Sequence, residues 1–367
     1  MMPVCRFILA CACIFISSLL HGRGDRLYIP DLGRNVKPRM TVIASEQRSG
    51  YSCSLVEFTV ERRERIKAYL LVPDGASAKK VRPAVLMLHD HGARFDIGKE
   101  KLVKPMASVL EGREHIINSS RQWVDKYFEG IHVADLFAAS GYVVLVADAL
   151  YWGDRSSADA QRWSMLNYAP DADPAASKDQ IKSLKEKVYE GQRNVYDSLS
   201  RKKIIWAEKI LRDDIASACL LKSLPYVDSE NIGAFGFSMG AHRCWMLSAF
   251  CEEVKCGAAL SWMTSLKDYK SDHASDLSMR IQPMRDRMDF GDIGLFLRPK
   301  PMLFINGEKD HLFSKEMADI AFDKLHLHYS AYPDERANLR TLFFDGGHHC
   351  PFAAQYIILE FFDEILK

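Results

Sequence analysis

The 367-residue sequence has almost no excess of charge, with 49 Lys and Arg against 48 Asp and Glu. A chain that lives on phosphate contacts carries a marked basic surplus, so no nucleic-acid partner is expected. No C-x-x-C pair occurs among the nine cysteines, which removes zinc-ribbon and thioredoxin readings. Three of the nine fall within the first thirteen residues. The other six (Cys53, Cys219, Cys244, Cys251, Cys256 and Cys350) are irregularly spaced and read as small buried hydrophobes, with a Cys251–Cys256 bridge left open. There is no internal repeat and no low-complexity tract, and no apolar run after residue 20 is long enough to span a bilayer. What remains is ordinary globular composition, 48% hydrophobic and 26% charged, with ample chain to bury a core.

The apolar run from Phe7 to Leu20 follows Arg6 and precedes the polar stretch His21–Gly24, so residues 1–24 read as a secretory signal rather than an anchor. The rest, 25–367, is expected to be one domain, periplasmic or secreted, with no stable membrane insertion once the signal is removed. Residues 25 to about 45 are rich in Arg, Pro and Gly and are expected to wrap as irregular chain. Tyr51–Glu61 and Arg65–Pro73 alternate with a period of two, which predicts an antiparallel pair. From Pro83 onward the pattern changes to continuous apolar segments, at 83–89, 142–148, 231–237, 256–262, 301–306 and 340–345. Such strands suit a parallel sheet covered on both faces. Helix-period stretches separate them, most clearly Lys203–Leu224, where Ile204, Ala207, Leu211, Ile215 and Ala218 form one stripe. The fold class is therefore α/β: a mostly parallel, doubly wound sheet with two antiparallel N-terminal strands. Residues from about 152 to 203 exceed what a sheet connection needs and read as a lid-like insertion. The segment 267–298 reads as another wall.

The strongest chemical signal is Gly236-Phe-Ser238-Met-Gly240, which follows an apolar strand and precedes a helical pattern. That is the context of a nucleophile elbow, a sharp turn that holds a serine in strained backbone geometry with glycines on either side. A serine hydroxyl needs a base, and the base needs an orienting carboxylate. At the ends of later strands stand Gly307-Glu308-Lys-Asp310 and Gly346-Gly347-His348-His349, in the order acid then histidine that such a sheet uses. Ser238, Asp310 and His348 are the expected triad, with Glu308 and His349 as weaker alternatives. The oxyanion formed on attack needs preorganised donors. The Met239 N–H and an N–H from the loop His89-Asp90-His91-Gly92-Ala93-Arg94 are expected to supply them, His91 first and Gly92 second, with the His89 and Asp90 side chains bracing the loop. No helical H-E-x-x-H spacing is present, so neither a metal nor a cofactor is expected.

With these residues in place the chain resembles the α/β-hydrolase superfamily. It is most similar to the secreted bacterial esterase branch near dienelactone hydrolases and acetyl xylan esterases/cephalosporin C deacetylases. The resemblance runs from about Thr59 to the C-terminus. It is carried by His89-Asp-His-Gly92 with Gly98-Lys-Glu-Lys101, by Leu224–Gly233 ahead of the elbow, and by Pro301–Phe313. It implies a serine ester hydrolase acting on acetyl or methyl esters of plant cell-wall polysaccharide, with an esterified oligo- or polysaccharide as partner. Tyr151, Trp152 and Arg155 follow one strand, and Trp262 and Met263 another, so these residues are expected at the carboxyl edge of the sheet where ligands bind. Trp152 and Trp262 suit sugar stacking, and Arg94, Arg155 and Arg243 are candidates to hold a carboxylate or brace loops. An acetyl (xylan-type) esterase leads. A pectin methylesterase is the alternative, favoured if one of those arginines enters the pocket, and a non-catalytic glycan-binding protein on the same scaffold comes third.

Overall fold

Continuous apolar strands are stable only where both faces of a sheet are covered, and the register of burial along this chain meets that condition. The computed structural model describes residues 27–32, 37–61, 64–269 and 274–367, so the expected signal at 1–24 lies outside the described residues. Nine strands form one sheet: β1 (Met40–Arg48), β2 (Tyr51–Thr59), β3 (Arg65–Pro73), β4 (Arg82–Leu88), β5 (Val143–Ala147), β6 (Val227–Phe237), β7 (Cys256–Leu260), β8 (Met302–Gly307) and β9 (Leu339–Phe344). Their order is β1-β2-β3-β5-β4-β6-β7-β8-β9. From β5 to β9 every neighbouring pair is parallel, whereas β1, β2 and β3 pair antiparallel and β3 joins β5 antiparallel.

Along β4, Ala84, Leu86 and Leu88 belong to one core layer and Val85 and Met87 to the other; Val143/Leu145 and Val144/Val146 divide β5 in the same way. One layer is closed by the helices α5 (Trp206–Ser223) and α6 (Met239–Phe250), and the other by α1 (Glu114–Tyr127), α2 (Val133–Ala139) and α8 (Phe352–Leu366). Between α2 and α5 lie α3 (Ala158–Tyr168) and α4 (Lys178–Arg201), which make up the long insertion, and α7 (Lys315–Ser330) precedes β9. Each fully buried leucine or isoleucine in such layers stabilises the fold by about 1.5–3 kcal/mol relative to exposure.

The N-terminal reading needs one correction. Residues expected to be irregular include most of β1, an edge strand paired with β2. Its side chains are almost all exposed or half-buried, so it has no apolar face and left no period-two signal in the sequence. All six described cysteines are unpaired, Cys251 and Cys256 included.

Charged struts tie the layers together. Arg243 in α6 makes a two-pronged contact with Asp214 in α5, at 3.0 and 2.7 Å, and also donates to the His89 carbonyl. Lys99 is buried among Asp148, Asp154 and Glu100. Removing one partner of a buried pair strands the other charge away from water. Asp214→Ala is therefore expected to lower the free energy of urea unfolding by roughly 3–5 kcal/mol; a loss below that of an ordinary surface substitution would show that the strut carries little.

Candidate active site

Strand β6 ends at Phe237 and α6 begins at Met239, so Ser238 alone makes the turn, at φ +55° and ψ −123°. A non-glycine residue there is strained by about 1–3 kcal/mol and persists only where its surroundings over-determine it. They do so here: the Ser238 N–H donates to the Leu260 carbonyl on β7 at 2.9 Å. A Cβ on Gly236 would meet the Gly240 carbonyl oxygen at 1.9 Å, and one on Gly240 would meet the Leu88 carbonyl oxygen at 1.8 Å. The two glycines are needed because three backbone segments converge on the turn.

The loops after β8 and β9 bring Asp310 and His348 to this serine. His348 Nε2 lies 2.9 Å from Ser238 Oγ, and His348 Nδ1 lies 2.7 Å from Asp310 Oδ2. Asp310 Oδ1 accepts the N–H groups of Leu312 and Phe313, so both carboxylate oxygens are engaged and the group is fixed. With Nδ1–H donating to Asp310, neutral Nε2 is left as acceptor for the serine proton. His349 instead turns its ring against Phe344, and the Glu308 side chain is exposed.

The loop after β4 forms the facing wall. His89, buried and held well below its ordinary pKa by burial and by Arg243, stays neutral. Its Nε2 accepts the Ala149 N–H, and its Nδ1–H donates to the Asp90 carbonyl. Lys101, also buried, donates to the Asp90 carbonyl at 2.7 Å, the His91 carbonyl at 3.0 Å and the Asp90 carboxylate. In a trans peptide the N–H points opposite to the C=O. Pinning the carbonyls of Asp90 and His91 to one ammonium therefore fixes the direction of the His91 and Gly92 N–H groups. Met239, the first residue of α6, has an N–H with no acceptor inside the helix.

A cleft of about 570 Å³ opens over Ser238 and His348, bounded by Asp90–Ala93, Trp123 and Tyr127 on one side and by Trp262, Tyr269 and Phe313 on the other. Of the four residues expected to bind substrate, it is lined by Trp262 but not by Arg94, Trp152 or Arg155, and that expectation is corrected for these three. Trp152 is fully buried and donates its indole N–H to the His91 carbonyl, supporting the loop from behind. Arg155 is consumed by Asp213, Glu64 and the Asp148 carbonyl. Arg94 is tied to Asp96, Ser119 and Gln122, with its guanidinium over the Tyr168 ring, and so fastens the insertion to α1. Among the described residues, no lysine or arginine lines the cleft. Sequence reasoning missed Trp123 and Tyr127 on α1, Tyr189 on α4 and Tyr269, because only tertiary packing says which face of a helix or loop meets the cleft.

Serine, histidine and carboxylate at the strand ends of a mostly parallel sheet define an α/β-hydrolase. A family profile described as the dienelactone hydrolase family matches residues 124–353, and the chain belongs to that family of hydrolases. The match contains Ser238, Asp310 and His348 but not the loop at His91. A Bacillus subtilis protein, YtaP, named as a candidate hydrolase, is 22% identical over 260 residues, covering 70% of this chain and 69% of its own. Two solved structures share the fold. A candidate acetyl xylan esterase from Bacteroides fragilis has a TM-score of 0.56 at 16% identity, over 84% of this chain and 70% of that one. A glucuronoyl esterase from Solibacter usitatus has a TM-score of 0.57 at 12% identity, over 94% and 90%.

Behind Ser238, His242 packs edge-on against Trp245 and Trp262, and burial depresses its pKa to about 3. Burial likewise lowers His132 to about 4. Both stay neutral when folded and take up a proton when unfolded below about pH 6.5, so the unfolded chain binds more protons and stability falls as pH drops. Between pH 6 and 4.5 each should add a slope approaching 1.4 kcal/mol per pH unit to the unfolding free energy. His242→Phe keeps the aromatic packing and should remove one such slope in urea titrations; an unchanged slope would place the proton uptake elsewhere.

Proposed function

We propose that the chain is a serine carboxylic-ester hydrolase that removes acetyl groups from plant cell-wall polysaccharide. The observation that carries the reaction is the unbroken contact from Ser238 through His348 to Asp310, at 2.9 and 2.7 Å, at the floor of a cleft. Ser238 Oγ attacks the ester carbonyl carbon as His348 Nε2 takes its proton, and Asp310 stabilises the imidazolium. The oxyanion is received by the N–H groups of Met239 and His91. As the tetrahedral intermediate collapses, the C–O bond to the sugar breaks and His348 returns the proton to the leaving hydroxyl. A water, deprotonated by His348, then cleaves the acyl-serine and releases acetate.

The lining of the cleft supports an acetylated neutral sugar over a methyl-esterified uronate. Aromatic rings suit the apolar faces of pyranoses, whereas a partly free uronate chain needs cations. The described arginines nearest the site are neutralised by carboxylates elsewhere, and among the described lining residues Asp90 and Glu316 carry carboxylates. The structures that share the fold include a candidate acetyl xylan esterase and a glucuronoyl esterase, in keeping with a carbohydrate substrate. The pectin methylesterase and the non-catalytic glycan binder become outcomes of the tests. Export is part of the same proposal; no described helix is long and apolar enough to cross a membrane.

Ser238→Ala should cut p-nitrophenyl acetate turnover by at least about a thousandfold and abolish labelling by a fluorophosphonate probe. Wild-type protein that is folded yet neither labelled nor active would leave the glycan-binding reading. On acetylated xylan and methylated pectin side by side, acetate release from the first should dominate; methanol release from pectin at the higher rate would replace the acetyl assignment with the methyl one.

A further inference from the structure

Helix α4 of the insertion meets the site with one face. Tyr189, Gln192 and Tyr196 stand three and four residues apart and so share a stripe. Tyr189 lines the cleft, Tyr196 lies near Arg280 beside the cleft residue Met279, and Gln192, fully buried, lies against His91. Gly191 lets the helix seat this closely: a Cβ there would fall 2.3 Å from the Tyr151 hydroxyl, which itself donates to the Val188 carbonyl at 2.7 Å.

We propose that Gln192 is a positioning residue that fixes the tautomer and orientation of His91, and through it the second oxyanion donor; this rests on the esterase reading above. The Ala93 N–H donates to His91 Nδ1 at 3.0 Å, so the neutral ring carries its proton on Nε2. That Nε2 lies 3.0 Å from the Gln192 amide nitrogen, while the Gln192 amide oxygen is buried without a partner. Two N–H donors gain nothing from facing each other. A half-turn of the amide gives the ring N–H its acceptor, exchanging an unpaired oxygen for an unpaired NH2 and removing the donor–donor contact. The ring has little other freedom, being edge-on to Trp152 at 5.0 Å and to Phe95 at 5.1 Å. Lys101 and the Trp152 indole hold its carbonyl. Gln192 adds a polar constraint at the ring, and it comes from the insertion rather than from the sheet.

The test compares wild type, Gln192→Leu and Gln192→Glu for p-nitrophenyl acetate kinetics at pH 8 and for thermal unfolding. In Gln192→Leu kcat is expected to fall about tenfold with KM within about twofold, a smaller loss than removal of an oxyanion donor itself causes. Gln192→Glu keeps an acceptor for the ring N–H and is expected to stay within about threefold of wild type. Unchanged kcat in Gln192→Leu, a change confined to KM, or equal losses in both variants would overturn the assignment. Should Gln192→Leu fail to fold, Gln192→Glu decides alone: near-wild-type kcat supports the acceptor role and a tenfold loss refutes it. Failure of the esterase reading is distinguishable, because then wild type shows no turnover, or Ser238→Ala retains it.

Discussion

Ser238 occupies a backbone conformation that a serine does not choose, and its neighbours are arranged around that constraint. Three main-chain segments meet at the turn: β6 entering it, α6 leaving it, and the end of β4 packed against Gly240. The last contact places the start of the His89–Arg94 loop beside Ser238. Arg243, one turn into α6, then reaches back to the His89 carbonyl. The elbow and the facing wall are one mechanical unit, so strain stored at Ser238 can be held without a mobile part.

The wall is made rigid by burying charge. A sealed ammonium costs several kcal/mol of lost hydration unless its donors are used, and Lys101 spends them on two successive carbonyls and a carboxylate. Burial lowers its pKa, while Asp90 acts in the opposite direction. Nearby, Lys99 repeats the device with three carboxylates, of which Asp154 is held near 2: burial alone would raise it, and Lys99 together with Lys67 and Arg113 outweighs burial. Such struts give directional stiffness where the chain must leave its sheet, at positions where hydrophobic packing alone would leave peptide planes free to rotate.

Much of this was legible in the sequence, for physical reasons that differ from element to element. Strands β4 to β8 announced themselves because burial on both faces forces continuous apolar runs, β9 by its Leu-Phe-Phe run although it is a half-buried edge, and the glycines around Ser238 because nothing larger fits. Asp310 and His348 were readable because strand ends in a parallel sheet present their loops in a fixed order. Strand β1 left no signal because it is an edge with no buried face. Trp152, Arg155 and Arg94 stand at the expected edge of the sheet without lining the cleft, and the two arginines brace loops, the second of the two tasks open to them. Sequence gives the position of a side chain along the chain, whereas its direction is settled by partners such as the His91 carbonyl, Asp213 and Tyr168.

That distinction bears on how an enzyme of this shape chooses a substrate. Near the site stand four buried cations, Arg94, Lys99, Lys101 and Arg243, with the half-buried Arg155 beside them, enough to suggest an anionic ligand on count alone. Each is matched by carboxylates at salt-bridge distance, so the field they project into the cleft is largely cancelled. What faces a substrate is instead a set of rings: Trp123, Tyr127, Tyr189, Trp262, Tyr269 and Phe313. Recognition by ring faces depends on shape and on displaced water more than on ionic strength. That environment is the one the proposed neutral, acylated sugar needs, and the same charges that would have drawn in an acidic polymer are spent on holding the backbone around Ser238.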